Sequence, residues 1–184
     1  MDAVVGKNIN VDELIQNNIL TPNIYENIPQ NEIQPFTDDF EKRKNEIGCY
    51  LSHLKIYDMI KEKGNTGYSI IFEDDFELIN NFSNILHDSL LFLDERDFDM
   101  LFLGLIGNKG EHIVYNIYNT TPYSWCTHGY LVNNKNIDKI IDKLKYIEKI
   151  VDVSIFDKAG KNELIVYRLE QEIVKQADLG SEIR

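Results

Sequence analysis

The stretch Tyr68-Ser69-Ile70-Ile71-Phe72 is almost wholly apolar, and Glu73-Asp74-Asp75 closes it at once. A run this short cannot form a helix with a face to bury, and its composition fits a strand inside a sheet covered on both sides. Asp99-Met100-Leu101-Phe102-Leu103-Gly104 repeats the pattern and predicts a second buried strand. Helical spacing surrounds these runs. Ile47, Tyr50, Leu51, Leu54, Tyr57 and Ile60 recur every three or four residues, and Lys61, Lys63 and Gly64 close that helix. Phe82, Ile85, Leu86, Leu90 and Leu93 mark another helix. Asn10, with Glu13 three residues on, opens a short one, and Asn134 is expected to cap one carrying Ile137, Ile140, Ile141 and Leu144. Ile113–Tyr118, Trp125–Val132 and Leu164–Leu169 read as further strands, and Asp152 as the start of a short irregular stretch. Pro22, Pro29 and Pro35 break the pattern between Thr21 and Asp39 into a long loop. Helices alternating with buried strands define the α/β class, with helices on both sheet faces. No internal repeat or linker divides the chain, so one domain over residues 1–184 is expected.

Composition narrows the function. At 43% hydrophobic residues with four prolines in 184 residues, the chain can build a core. Its 19 basic and 31 acidic side chains leave a net charge of −12. A field of that sign disfavours nucleic acid and anionic lipid as partners. An acidic protein that handles an anionic ligand needs positive charge from elsewhere, such as a metal ion or helix N-termini. Cys49 and Cys126 are too few for a disulfide framework or a zinc cage, and two free thiols are expected. Met1-Asp2-Ala3-Val4 has neither the basic nor the apolar region of a signal peptide, and the longest apolar run, Met100 to Gly107, is too short to span a bilayer. These features set the expectation of a soluble, cytoplasmic chain without a transmembrane segment.

The acids after Phe72 carry the strongest chemical signal, because ligands of open α/β sheets bind outside the carboxyl ends of strands. In extended backbone, Glu73 and Asp75 face one way and Asp74 the other. Two hard oxygen donors suit Mg²⁺ or Mn²⁺. The structural alternative is that Asp74 or Asp75 caps a following helix, with Glu77 complementing its dipole. Gly48 lies early in the clearest helix, where it permits close backbone approach or sits in the first turn. Cys49 and His53, four apart, share a helical face. That spacing allows metal ligation, although a packed and hydrogen-bonded His53 is the plainer expectation. Trp125-Cys126-Thr127-His128-Gly129-Tyr130 mixes polar groups with aromatics, which suits sugar binding and equally suits a core strand. Asp152 follows apolar Ile150-Val151 as a candidate base or as a helix cap. No Gly-rich phosphate loop, G-x-S-x-G elbow or HExxH motif occurs.

In order along the chain, three blocks resemble glycosyltransferase family 25, which includes lipopolysaccharide glycosyltransferases and procollagen galactosyltransferases. They are Glu46-Ile47-Gly48-Cys49 with Leu51-Ser52-His53, Ile70 to Asp75, and Phe98 to Gly104. Weaker echoes are Gly129-Tyr130-Leu131-Val132, Val151-Asp152 and Gln176 to Ile183, and Asp2-Ala3-Val4-Val5-Gly6-Lys7 looks like the family's Asp-Ala-x-x-Gly-Lys turn. The resemblance implies a GT-A-type, Rossmann-like α/β/α sandwich. It also implies inverting transfer of a hexose, galactose or glucose, from a UDP-sugar to a hydroxyl of a glycan, lipopolysaccharide or collagen-like hydroxylysine. Mn²⁺ or Mg²⁺ would sit on Asp75 with Glu73, the donor on Asp2, Ala3, Glu73 and Asp74, and the general base would be Asp152 or else His128. The family's first strand, with its Ile-Asn-Leu sequence, has no counterpart here. The resemblance therefore implies an N-terminally truncated domain, open to pairing with another chain at the exposed edge, or a catalytically inactive remnant or partner subunit. A glycoside hydrolase, which needs two carboxylates about 5–9 Å apart, is the competing enzyme class.

Overall fold

A computed structural model of the chain describes residues 2–22 and 40–177. The proline-broken loop therefore lies outside the described residues apart from Thr21 and Pro22, as does the tail beyond Ala177. The elements in chain order are α1 (Val11–Gln16), α2 (Phe40–Lys63), β1 (Tyr68–Phe72), β2 (Phe76–Leu78), α3 (Phe82–Leu93), β3 (Met100–Gly107), β4 (His112–Val114), β5 (Ile117–Asn119), β6 (Ser124–Asn133), α4 (Ile137–Leu144), α5 (Val151–Gly160), β7 (Val166–Leu169) and β8 (Val174–Gln176).

Six strands form one mixed sheet in the order β1-β6-β3-β7-β5-β4, and β2 pairs with β8 beside it. Among the pairings of these strands in the described residues, only β3–β7 is parallel. Strand alternation assigns the two faces. Met100 and Phe102 point into a core shared with α2, α4 and α5, whereas Leu101 and Leu103 point into one shared with Leu86 and Leu93 of α3. The result is an α/β/α sandwich, the fold class the alternating pattern implies.

Local chemistry explains the element ends. The Asn10 side chain accepts the Glu13 N–H, capping α1 as expected. Gly64, at φ +63°, donates its N–H to the Lys61 carbonyl and ends α2 in the left-handed conformation that glycine tolerates.

Several sequence expectations are corrected. Tyr68–Phe72 is a strand but an edge strand: Ile71 is 5% exposed, whereas Tyr68 and Ile70 are about 40% exposed. A continuous apolar run does not reveal whether both sheet edges are covered. Ile113–Tyr118 is a hairpin rather than one strand, folded at Tyr115, whose φ is +50°. Asn133 caps a 3-10 turn over Asn134–Asn136, and α4 begins only after it. Asp152 opens no irregular stretch; it lies in the first turn of α5. Glu73-Asp74-Asp75 leads into strand β2, so neither aspartate caps a helix there and Glu77 faces no helix dipole.

Candidate active site

A defect in the β3–β6 ladder shapes the candidate site. Gly104 pairs with Gly129 and Ile106 with Trp125, so Cys126, Thr127 and His128 stand opposite Leu105 alone. Such a bulge re-aims the side chains and backbone groups it carries. Cys126 adopts φ +80°, unusual for a residue with a side chain. Its N–H donates to Asp152 Oδ2 at 2.9 Å, Thr127 Oγ1 donates to Glu73 Oε1, and His128 Nε2 meets the Val174 carbonyl at 3.2 Å. The Glu73 N–H in turn donates to the His128 carbonyl, pinning the end of β1 to the bulge. Three adjacent residues thus reach α5, the acidic turn and β8.

Within the acidic turn, Asp74 is exposed while Glu73 and Asp75 are partly buried. Gln176 Nε2 donates to Asp75 Oδ2 at 2.7 Å, and the Asp75 carbonyl accepts the Ala177 N–H. The second carboxylate oxygen of Asp75 is buried and has no hydrogen-bond partner. Burial raises the Glu73 pKa above the usual carboxylate range; Thr127 opposes the shift, and the charges of Asp75, Asp152 and Asp74 add to it. Asp152 behaves similarly: burial raises its pKa against the N–H groups of Cys126 and Val153, which favour the charged form.

Helix α2 supplies the other wall. His53, 4% exposed, places Nδ1 at 2.6 Å from the Tyr130 hydroxyl and Nε2 at 3.9 Å from Glu73 Oε1. Tyr130 continues to the Tyr57 hydroxyl at 2.9 Å. Burial pushes the His53 pKa down to about 4, so the ring is neutral near pH 7. His53 is therefore packed and hydrogen-bonded, as the plainer reading expects. Cys49 lies one turn earlier, and neither it nor Cys126 is joined in a disulfide. Gly48 is in mid-helix rather than a first turn: an added Cβ would lie 2.7 Å from the Val4 carbonyl, so the glycine permits close backbone approach. The Val4 N–H donates to Ser52 Oγ at 2.9 Å, which seats the Asp2–Gly6 segment on the turns of α2 that carry Cys49 and His53. Asp2 and Ala3 are exposed there.

Of the residues singled out in the sequence, Asp75 and Asp152 each come within electrostatic reach of Glu73. His128 is 2% exposed and turned toward Val174 and Gly104. The supporting residues Thr127, Gln176, Tyr130 and Tyr57 have no sequence signature of their own. The prior hints are indirect: Thr127 and Tyr130 belong to the polar–aromatic stretch, Tyr130 and Gln176 to the weaker family echoes, and Tyr57 to the helical spacing of α2.

Partly buried carboxylates gathered beyond a strand end, in a sheet covered by helices on both faces, place the chain in the α/β class. The sequence model for glycosyltransferase family 25 (LPS biosynthesis protein) matches residues 1–105. The match takes in the N-terminal turn, Cys49, His53 and the acidic triplet, and the chain belongs to that family. It is 30% identical over 154 residues to procollagen galactosyltransferase 1-A of Xenopus laevis, covering 77% of this chain and 23% of that protein. It is 24% identical over 152 residues to procollagen galactosyltransferase 2 of Homo sapiens, covering 77% and 22%. The Danio rerio procollagen galactosyltransferase 1 is 25% identical over 131 residues, covering 66% and 21%. The chain thus spans less than a quarter of the length of these curated relatives. Among the described residues, no helix is long and apolar enough to cross a membrane.

Proposed function

We propose that this chain is a GT-A-type glycosyltransferase domain that moves a hexose from a UDP-sugar to an acceptor hydroxyl with inversion. One observation carries the reading: in a family 25 chain, the second carboxylate oxygen of Asp75 is buried without a partner, beside partly buried Glu73. An unpaired buried carboxylate oxygen is costly unless a cation completes it, so this donor pair fits Mn²⁺ or Mg²⁺. Bound there, the ion would neutralise charge developing on the leaving diphosphate.

The chain's own groups have separable tasks. Gln176 orients Asp75, and Thr127 orients Glu73. Asp2, Ala3 and Asp74 are exposed and are assigned to the donor nucleotide. Asp152 is the general base. Each of its oxygens takes a backbone N–H and keeps a lone pair, and its raised pKa makes it a stronger proton acceptor than an ordinary aspartate. The burial of His128 leaves it second to Asp152. The acceptor is a hydroxyl of a glycan, lipopolysaccharide or collagen-like hydroxylysine, in keeping with the names of the family and of the relatives. The test is Mn²⁺-dependent release of UDP from UDP-galactose or UDP-glucose. Wild type should release UDP, Asp75→Asn should lose the metal response, and Asp152→Asn should lose transfer while still binding donor. Metal-independent turnover, or an unaffected Asp75→Asn, would refute the reading.

A further inference from the structure

Beside the acidic turn stand Cys49 and His53, two potential ligands that the transfer reading does not use. The Cys49 sulfur, a ring nitrogen of His53 and a carboxylate oxygen of Glu73 all lie within 4.8 Å of one another. Two come from successive turns of α2 and one from the end of β1. We propose that Cys49, His53 and Glu73 form a binding site for a borderline divalent ion of the zinc type, distinct from the hard-cation role of Asp75.

Donor chemistry selects the ion. One thiol sulfur, one imidazole nitrogen and one carboxylate oxygen match zinc, whereas Mn²⁺ and Mg²⁺ favour oxygen alone. Three protein ligands leave a fourth tetrahedral position for water or a bound group, the form of reactive rather than structural zinc sites. Ligand atoms of a tetrahedral zinc with one sulfur lie roughly 3.3–3.6 Å apart, as its bond lengths dictate. The observed spread closes to that value with movements of about 1 Å, within reach of side-chain rotation.

The surroundings fit a cation. His53 Nδ1 is engaged by Tyr130, itself engaged by Tyr57, so the second ring nitrogen is the one turned toward Glu73. With Nδ1–H donating to the Tyr130 oxygen, Nε2 presents its lone pair to the site; a hydrogen bond on the other nitrogen is the usual support of a metal-ligating histidine. The charges that reach the Cys49 thiol belong to Glu73, Asp152 and Glu46, all negative. With burial they hold its pKa up at about 12, so the free thiol stays protonated. Binding replaces that proton: Cys–SH and M²⁺ give a Cys–S–M⁺ unit and one H⁺ released to solvent.

The site shares Glu73 with the role proposed above but needs neither Asp75 nor nucleotide, so the two proposals fail separately. The test is titration of the metal-free chain with Co²⁺, a spectroscopic substitute for zinc, without nucleotide. One equivalent should produce a thiolate-to-cobalt charge-transfer band in the near ultraviolet. Cys49→Ser should abolish the band, while Cys126→Ser and Asp75→Asn keep it. Zinc affinity, measured against a chromophoric chelator, should fall at least about 100-fold in Cys49→Ser, more than a supporting residue contributes, and roughly 10–100-fold in Tyr130→Phe. No charge-transfer band in wild type would overturn the proposal whatever the variants do. A band that survives Cys49→Ser would overturn it too.

Discussion

Tyr130 is the node of the buried network behind the site, and replacing it with Phe separates hydrogen bonding from packing. Its hydroxyl meets both His53 Nδ1 and the Tyr57 hydroxyl, and all three side chains are at most 4% exposed. Tyr130→Phe preserves the ring that stacks on Phe102 at 5.2 Å and removes only the oxygen. Two buried polar groups then lose a partner, each at about 1–3 kcal/mol, so the variant should lose about 2–6 kcal/mol of stability. For a chain of this length, about 2–4 °C accompanies each kcal/mol, giving a fall in Tm of roughly 5–20 °C. Tyr57→Phe removes the end of the chain of bonds and leaves Tyr130 joined to His53. It should cost about 1 kcal/mol. The double variant should cost less than the sum of the two, because the stranded Tyr57 hydroxyl is gone as well. Urea denaturation of the four proteins, with m-values compared, measures all three quantities. Equal losses in the two single variants, or strict additivity, would show that this network does not carry the coupling claimed for it.

Two further outcomes follow from α2. Gly48→Ala gains about 1 kcal/mol of helix propensity, yet its Cβ would sit 2.7 Å from the Val4 carbonyl and 3.3 Å from the Gly6 nitrogen. The N-terminal segment must lift, so the variant should be no more stable than wild type and its Val4 amide should exchange faster with deuterium; a more stable variant with a protected Val4 amide would contradict this. The Cys49 thiol, held at about 12 against an ordinary 9.0, carries roughly 10³-fold less thiolate than a free cysteine near pH 8. Iodoacetamide should therefore label Cys49 of the native chain on the order of 10³-fold more slowly than in urea, as peptide mass spectrometry would report, and equal rates would remove the argument for its protonated state.

How much of this was legible depends on whether the signal was periodic or relational. The core faces of α2 and α3 follow from apolar spacing, and Met100–Leu103 alternates between the two cores as strand geometry requires. The divergence of exposed Asp74 from Glu73 and Asp75 follows from extended backbone entering the turn. The edge position of β1 was hidden, because pairing to β6 on one side only leaves no trace in five apolar residues. The bulge was hidden for a similar reason. Extra residues on β6 exist only relative to β3, so Trp125–Val132 read as uninterrupted strand while Cys126, Thr127 and His128 were leaving the ladder. Gln176 was invisible as a partner of Asp75 because a lone glutamine a hundred residues away carries no pattern.

The way the carboxylates are held separates those that serve the fold from those available for chemistry. Asp99, fully buried, accepts Lys139 Nζ and the Ile165 N–H at 2.6 Å each on one oxygen; its other oxygen is unpaired like that of Asp75, but here a lysine supplies the neutralising cation where β3 begins. Glu73, Asp75 and Asp152 are oriented instead by a hydroxyl, an amide and backbone N–H groups, and no lysine or arginine figures among the charges acting on Glu73. Neutral donors fix direction without cancelling charge. Glu73 then feels the charges of Asp75 and Asp152, which add to the rise that burial already gives its pKa. A chain of net charge −12 has nineteen basic side chains with which to relieve that repulsion. Leaving it in place costs stability at the end of β1, a cost that the metal ion proposed above, or a proton, would offset. Removing the Glu73 charge tests the point: Glu73→Gln keeps the side chain's shape, so it should raise Tm or leave it unchanged while abolishing the proposed metal-dependent UDP release. A variant that keeps its full metal response would show that the uncompensated charge is not what the site uses.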